Sequence, residues 1–506
     1  AGPSTLSGGG TSPGATAGED GGVASNGGVA DGGPLDGSTG AVLGAVPVAC
    51  PGGFAPAPTA DVSPPASSDP DAGAALAPVW AIRPPAGWTM QFGGVVDPDG
   101  NAYWHETELA TGASVLASAT RDGVLRFRAP GPGALLLAGS TLVAGGSESS
   151  GCAGATPPPS GVLEGYSSAD GSRSWRRELL AVLTPWLRSA PAPGTCRYAA
   201  VAAVAAHHEL LAAVSILDSA SAEHESGYLA LDPATGDVLW TARTSPPGNV
   251  MMTGLPVFAE DGNAYGARTD DYLNDDLLVF PGGDAPLTLV TPAGAWHGAP
   301  LAAYGPLLVS QVIGGASWTA PPSGLEVRCR NDGAVLAQPG SLAGLPLLAG
   351  DALWMFGDTL GRWSSATGAS LWMVRLGQLP DVAPGRYVHP FVARSSPIVG
   401  VNGAIAFTEQ QGVYGMTSAD LQLMTPVLRV VAASGVEVLR RTLPVEVEGY
   451  GGPAAAHGGR FYSGGIAPPS AGGGGVLRAF DVTGFAPAAQ GWITSGGSMA
   501  RDGRAR

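Results

Sequence analysis

Three stretches of this 506-residue chain bring together side chains of types that could do chemistry. Asp97, Asp99, Asn101 and Glu108 occupy positions 1, 3, 5 and 12 of a calcium-loop-like spacing, which would supply the oxygen ligands a hard cation prefers. Position 6 of such a loop requires Gly and here holds Ala102. The phrase DGNAY, at 99–103, also recurs at 261–265 in the same hairpin context, so a turn is the better reading. Asp270, Asp271, Asn274, Asp275 and Asp276 form a denser acidic loop, whose like charges need solvent or a cation between them. These five are weak metal candidates beside the alternative of a solvated loop. His207, His208 and Glu209, with His224 further on, carry zinc-ligand chemistry. HHE stands where a hairpin turn belongs, however, and strand alternation would send neighbouring side chains to opposite faces.

Other chemistries are absent from the sequence or unsupported by it. All 25 basic residues are Arg, so a Walker-type GK[ST] loop, a Schiff-base lysine and a Ser-Lys dyad are excluded. There is no GxSxG elbow, and His105, His297, His389 and His457 have no neighbour in sequence that flags a triad. The GGGG run at 472–475 lies between PPSA and VLRAF and reads as a loose loop, not a phosphate cradle. A net charge of −16 offers no attractive field to nucleic-acid phosphates or anionic lipid headgroups.

The elements that must position any site are short strands. With 79 Gly and 45 Pro, a helix-dominated fold is disfavoured. Tyr228 to Arg243 reads YLALDPATGDVLWTAR, and the same turn-then-Trp phrase returns in WSSATGASLWMVR and YSSADGSRSW. It pairs Gly171 with Trp175, Gly236 with Trp240 and Gly368 with Trp372. Weaker copies surround Gly112, Gly333, Gly435 and Gly484. The physics is that of a β-hairpin: Gly supplies a positive-φ turn residue, and a large aromatic on the returning strand packs against a neighbouring sheet. Apolar hairpins such as PLLAGDALWMF and AAAHGGRFYSG stand upstream of these copies. Residues 197–243 make the clearest unit of four strands. Comparable units begin near 95, 135, 199, 255, 301, 346, 397 and 453, on average about 51 residues apart.

This pattern predicts an all-β fold, a β-propeller of eight four-stranded blades, with seven as a variant and paired β-sandwiches as the alternative. The unit near 255 lacks both the Gly and the Trp of the phrase, its outer strands being LLVF and PLTLVT. WAIRPP at 80–85 matches the outer-strand phrase WTARTSPP at 240–247 yet precedes every complete unit. It is expected to join the C-terminal blade and close the ring, which removes an exposed sheet edge. Trp175, Trp240 and Trp372 are then packing residues between blades.

Residues 1–49, with 15 Gly and no aromatic or basic side chain, read as a disordered Gly/Ser-rich tether. Residues 50–490 read as the propeller and 491–506 as a flexible tail. Phe54 marks where folding material begins. The four cysteines show no CxxC spacing, which disfavours a zinc site and fits disulfides in an oxidising compartment. Of three possible pairings, the loop-like surroundings of Cys152 and Cys196 point to that pair. The chain opens with Ala, as a processed form would, and no apolar run of about 18 residues spans a bilayer.

Ala230, Asp232, Thr235, Gly236 and Trp240 resemble, position by position, the repeat unit of the quinoprotein-like β-propeller family. Around Trp372 the match keeps Thr367 and Gly368; around Trp175 it keeps Gly171, with Asp170 at the Thr position. The resemblance covers about residues 80–490 and implies one of two branches. One is dehydrogenases holding pyrroloquinoline quinone and calcium; the other is non-catalytic envelope propellers that bind proteins. The enzymatic branch commonly shows a vicinal disulfide, and no two cysteines are adjacent here. The expectation is a secreted or envelope-tethered monomer, lipoprotein-like, with a lipid or surface tether ahead of Ala1 left open. It acts as a binding scaffold for a protein or glycan, without catalysis, metal or organic cofactor. A quinone-dependent dehydrogenase using pyrroloquinoline quinone with Ca²⁺ is the alternative, and a propeller hydrolase or lyase the second.

Overall fold

In a computed structural model the repeated Gly adopts the left-handed conformation that the hairpin reading requires, with φ of +74° at Gly171, +70° at Gly236 and +69° at Gly368. The structure describes residues 49–488 apart from 59–61, 132–133, 150–158, 188–196, 219–224, 245–255, 271–273, 282–286, 291–297, 313–323, 339–340, 378–388, 415–421, 445–453 and 466–473. At the type turn, Asp232 Oδ1 accepts the amides of Ala234 (2.7 Å) and Thr235 (3.1 Å), and Gly236 N donates to Asp232 O at 2.7 Å. Asp232 is thus a turn-former. Wherever third and fourth strands are joined by such a turn, their register slips next to it, as between Ala230 and Leu231 or Arg362 and Trp363. One extra residue is accommodated there as a bulge, which increases the local twist.

Eight antiparallel blades follow in order: 88–130, 134–178, 197–243, 257–290, 298–337, 345–375, 389–442 and 454–481. Six of their inner strands begin within three residues of the starts read from the sequence, and those of blades 1 and 7 begin seven and eight residues earlier. Blade 4 has LLVF within Asn274–Phe280 and LTLV at Leu287–Val290 as its outer pair. Blade 7 departs from the four-strand plan. Its inner strand is broken into His389–Arg394 and Ile398–Val399, both paired with Ile405–Tyr414, and Gln422–Leu423 adds a short extra strand.

Blade 8 supplies three strands from the C-terminal region, and Trp80–Ile82 is its fourth, with Trp80 opposite Ala479 and Ile82 opposite Leu477. The ring therefore closes with material from both ends, as the WAIRPP phrase implied. The core is distributed between neighbouring sheets. Phe258, Leu278 and Phe280 of blade 4 pack with Leu211, Tyr228 and Ala230 of blade 3, and Trp354 and Phe356 of blade 6 pack with Ile405 and Phe407 of blade 7. A single blade could not bury both of its faces; the closed ring buries them pairwise.

The N-terminal segment from residue 50 does more than begin the fold. It runs along the outer rim from blade 5 to blade 8. Phe54 N donates to Leu336 O, Ala55 N to Gly368 O, Arg375 N to Ser63 O and Leu76 N to Thr442 O. On blade 7 it forms parallel bridges, Ser67 to Glu437 and Ala75 to Thr442. The Cys50–Cys329 disulfide anchors this strap to blade 5. Asp69 fixes it to blade 7 by accepting from Arg440 N at 2.7 Å and from the Arg441 guanidinium. The strap covers outer backbone edges that would otherwise be open to strand addition. The expected Cys152 and Cys196 pair lies outside the described residues.

Candidate functional site

The two ends of the ring differ in their connections. At one end, joining first to second and third to fourth strands, no segment is longer than 232–237 or 281–286. At the other end the connections include 179–196, 313–323, 376–388 and 443–453.

The tight-turn end is occupied by contacts that hold blades together. Trp175 lays its ring on Gly236, where an added Cβ would sit 2.6 Å from it, and donates Nε1–H to Pro233 O at 3.0 Å. Trp372 meets Gly435 in the same way and donates to Ala433 O at 2.6 Å. Trp80 does so across the closure, lying on Gly123 and donating to Arg121 O at 2.9 Å. Phe127 replaces the indole against Gly171. The Trp240 ring stacks on Phe280 of blade 4, with centroids 5.5 Å apart. Gly368 is met by the strap: a Cβ there would fall 1.7 Å from Gly53 O. Gly171, Gly236, Gly368, Trp175, Trp240 and Trp372 thus all take part in contacts between blades or with the strap.

Asp97 is likewise saturated by its own turn. Oδ1 accepts the amides of Asp99 and Asn101, while Oδ2 accepts Asn101 Nδ2 and Tyr103 Oη, each at 2.7 Å. Burial, with Asp97 alongside, pushes the Tyr103 hydroxyl up to about 12. Asp261 repeats the motif by accepting Asn263 N and Nδ2. Both DGNAY copies are turns. Of the acidic loop, Asp271 lies outside the described residues. The backbone pairs Asp270 with Asn274 and Thr269 with Asp275, and Asp276 is buried.

Carboxylates buried within the blades meet donors from the same or a neighbouring blade. Glu106 accepts Trp104 Nε1 at 2.9 Å and Arg128 at 3.2 Å. Glu164 accepts Tyr166 Oη and Arg173, and Glu326 accepts Arg328 at 2.8 Å. Glu409 pairs with Arg394 and Arg429, and Glu437 with Arg429. Arg330 is fully buried between blades 4 and 5, on Glu260, Asp261, Tyr265 Oη and Gly305 O. Among the described residues no three His, Cys, Asp or Glu side chains converge on a common metal position.

HHE forms the predicted turn, 207–209, between Arg197–Ala206 and Leu210–Asp218. The expectation of opposite faces does not hold for the two histidines. Turn geometry replaces strand alternation there, and their Nδ1 atoms stand 3.3 Å apart. Glu209 turns inward to accept Trp240 Nε1 at 2.9 Å, and burial pushes its carboxyl above the ordinary range. His105 and His457 are both held low, chiefly by burial. His224 and His297 lie outside the described residues.

Buried positions of the inner strands carry small and aliphatic residues on several blades and the aromatics Phe92 and Phe258 on blades 1 and 4. Ala205 and Ala206, Ala302 and Ala303, and Ala454 to Ala456 are buried there, with Leu136, Leu347 and Val399 on others.

No protein-family model matches the chain, and neither does any curated protein. Solved structures similar to it include BamB from Moraxella catarrhalis, at 14% identity and TM-score 0.42, covering 81% of this chain and 99% of that one. A europium-containing methanol dehydrogenase is 11% identical with TM-score 0.32, covering 80% and 93%. The quinohemoprotein alcohol dehydrogenase from Comamonas testosteroni is 10% identical with TM-score 0.32, covering 83% and 77%.

Proposed function

We propose that this chain is an extracytoplasmic propeller that binds a protein or glycan through the end of the ring with long connections, without catalysing a reaction. The observation that carries this reading is the difference between the ends. One is made of short turns taken up by Trp, Arg and Asp contacts between blades, and the other includes the longer connections, of which 179–187 packs Leu179, Leu183 and Trp186 into the core. Internally paired carboxylates support a scaffold over a reaction centre. The Cys50–Cys329 disulfide supports an oxidising compartment. The 1–49 tether, the 50–490 propeller and the 491–506 tail belong to the same proposal.

Photo-crosslinking groups placed at the two ends test it. Crosslinks to one defined partner are expected from the long-connection end and not from positions such as Asp99 or Asp332; the reverse distribution overturns the assignment. Purified protein given pyrroloquinoline quinone and Ca²⁺ is expected to show no dye reduction with alcohols or sugars, and robust turnover would replace the scaffold reading.

A further inference from the structure

We propose that His207 and His208 form a two-nitrogen chelate for a tetrahedral divalent cation of the zinc class, completed by solvent. The argument is geometric. Zinc–imidazole bonds are about 2.0–2.1 Å long, so two nitrogens 3.3 Å apart subtend about 107° at a shared ion, close to the tetrahedral angle. Square-planar Cu²⁺ would need a shorter bite, and Ca²⁺ or Mg²⁺ would seek oxygen ligands.

The pair is held by its surroundings. His207 N donates to Glu209 O across the turn, and Trp240 fixes the Glu209 side chain below it. Phe258 of blade 4 lies against both imidazoles, with centroids 5.8 and 6.0 Å away. Gly262 on the facing turn brings blade 4 close: a Cβ there would lie 3.5 Å from His208 Nδ1. The flanking Glu260 and Asp261 are engaged with Arg330. Without metal, one Nδ1–H can donate to the other Nδ1. Binding requires the Nε2–H tautomer of both rings, so that proton moves to Nε2 through solvent and two neutral imidazoles release none. Two coordination positions then remain for water or an incoming ligand.

Calorimetric titration of tag-free, full-length protein with zinc chloride tests the site. One Zn²⁺ per chain is expected, with affinity at least tenfold weaker in His207→Ala/His208→Ala, and tetrahedral Co²⁺ absorption in the parent that is lost in the variant. Matching thermal unfolding shows that the variant is folded. His208→Gln, at an exposed position, repeats the test if the double variant is not. Unchanged zinc binding in a folded variant, or no binding at millimolar zinc, overturns the proposal.

Discussion

If the ring is closed by Trp80 docking on blade 1, then Trp80 and Gly123 must be energetically coupled although they are far apart in the chain. Trp80 is half-buried, so Trp80→Ala removes about 100 Å² of apolar contact, worth about 2.5 kcal/mol at about 25 cal/mol per Å². The lost hydrogen bond adds less than about 1 kcal/mol, because Arg121 O still accepts Arg460 Nη1 at 2.6 Å. The total, about 3 kcal/mol, lowers the midpoint by about 6 °C at about 2 °C per kcal/mol for a large domain. Gly123→Ala carries two penalties. Its φ of +81° costs an L-residue about 1–2 kcal/mol, and the new Cβ would meet Trp80 Cγ at 2.6 Å. Relieving that overlap by displacing Trp80 costs about 2 kcal/mol more. With the indole gone, only the backbone penalty survives. The double variant should therefore be about 2 kcal/mol more stable than the sum of the single losses predicts. Urea unfolding of the four proteins, followed by a blade-wide signal, measures the coupling. Additive effects within about 0.5 kcal/mol, or an unperturbed Trp80→Ala protein, refute closure by this contact.

Other perturbations probe the strap and the buried acid. Cys50→Ser opens a link spanning 279 residues, and loop entropy sets an upper loss of about 6 kcal/mol, reduced by the strap's remaining hydrogen bonds. Non-reducing peptide mapping is expected to return Cys50 with Cys329 and Cys152 with Cys196; any other pairing contradicts the fold or the sequence reading. Burial alone would raise Asp69, but the Arg440 amide and the Arg441 guanidinium outweigh it and hold its carboxyl below the ordinary range. A depressed pKa contributes stability that is present above about pH 4 and lost as pH falls through the folded value. Hydrogen exchange at Ser68, Gly73 and Leu76 should then rise selectively in acid, and Asp69→Asn should raise it at neutral pH. Glu209 has the opposite sign. Its raised pKa means the folded state holds the proton more tightly, so stability declines as pH rises above about 4.3 towards the folded value. Glu209→Gln keeps an acceptor for Trp240, so its stability at pH 7 should equal or exceed the parent's, with the advantage gone below pH 4. Strong destabilisation at pH 7 would refute that account.

Hairpin chemistry is local, which is why so much of the architecture was legible. The αL glycines, the two Asx turns at Asp97 and Asp261, the eight blade starts and the displaced WAIRPP strand all follow from short-range turn rules and recurrence. The buried arginines carried a signal that the Gly-Trp reading passed over. Arg362, Arg429 and Arg478 each stand six residues before Gly368, Gly435 and Gly484, and Arg328 stands five before Gly333. Each sits on the third strand of its blade and is at least largely buried.

The sequence by itself determined that this chain is built of recurring hairpins, because a Gly turn, a strand and an aromatic interact within a few residues of one another. Only the tertiary structure decided that residues 50–79 bind the outer rims of blades 5 to 8, that Cys50 meets Cys329, and that His207 and His208 turn towards each other. Those outcomes join groups far apart in sequence, or depend on a turn's detailed path. Neither leaves a periodic trace, and both are fixed when neighbouring blades press together.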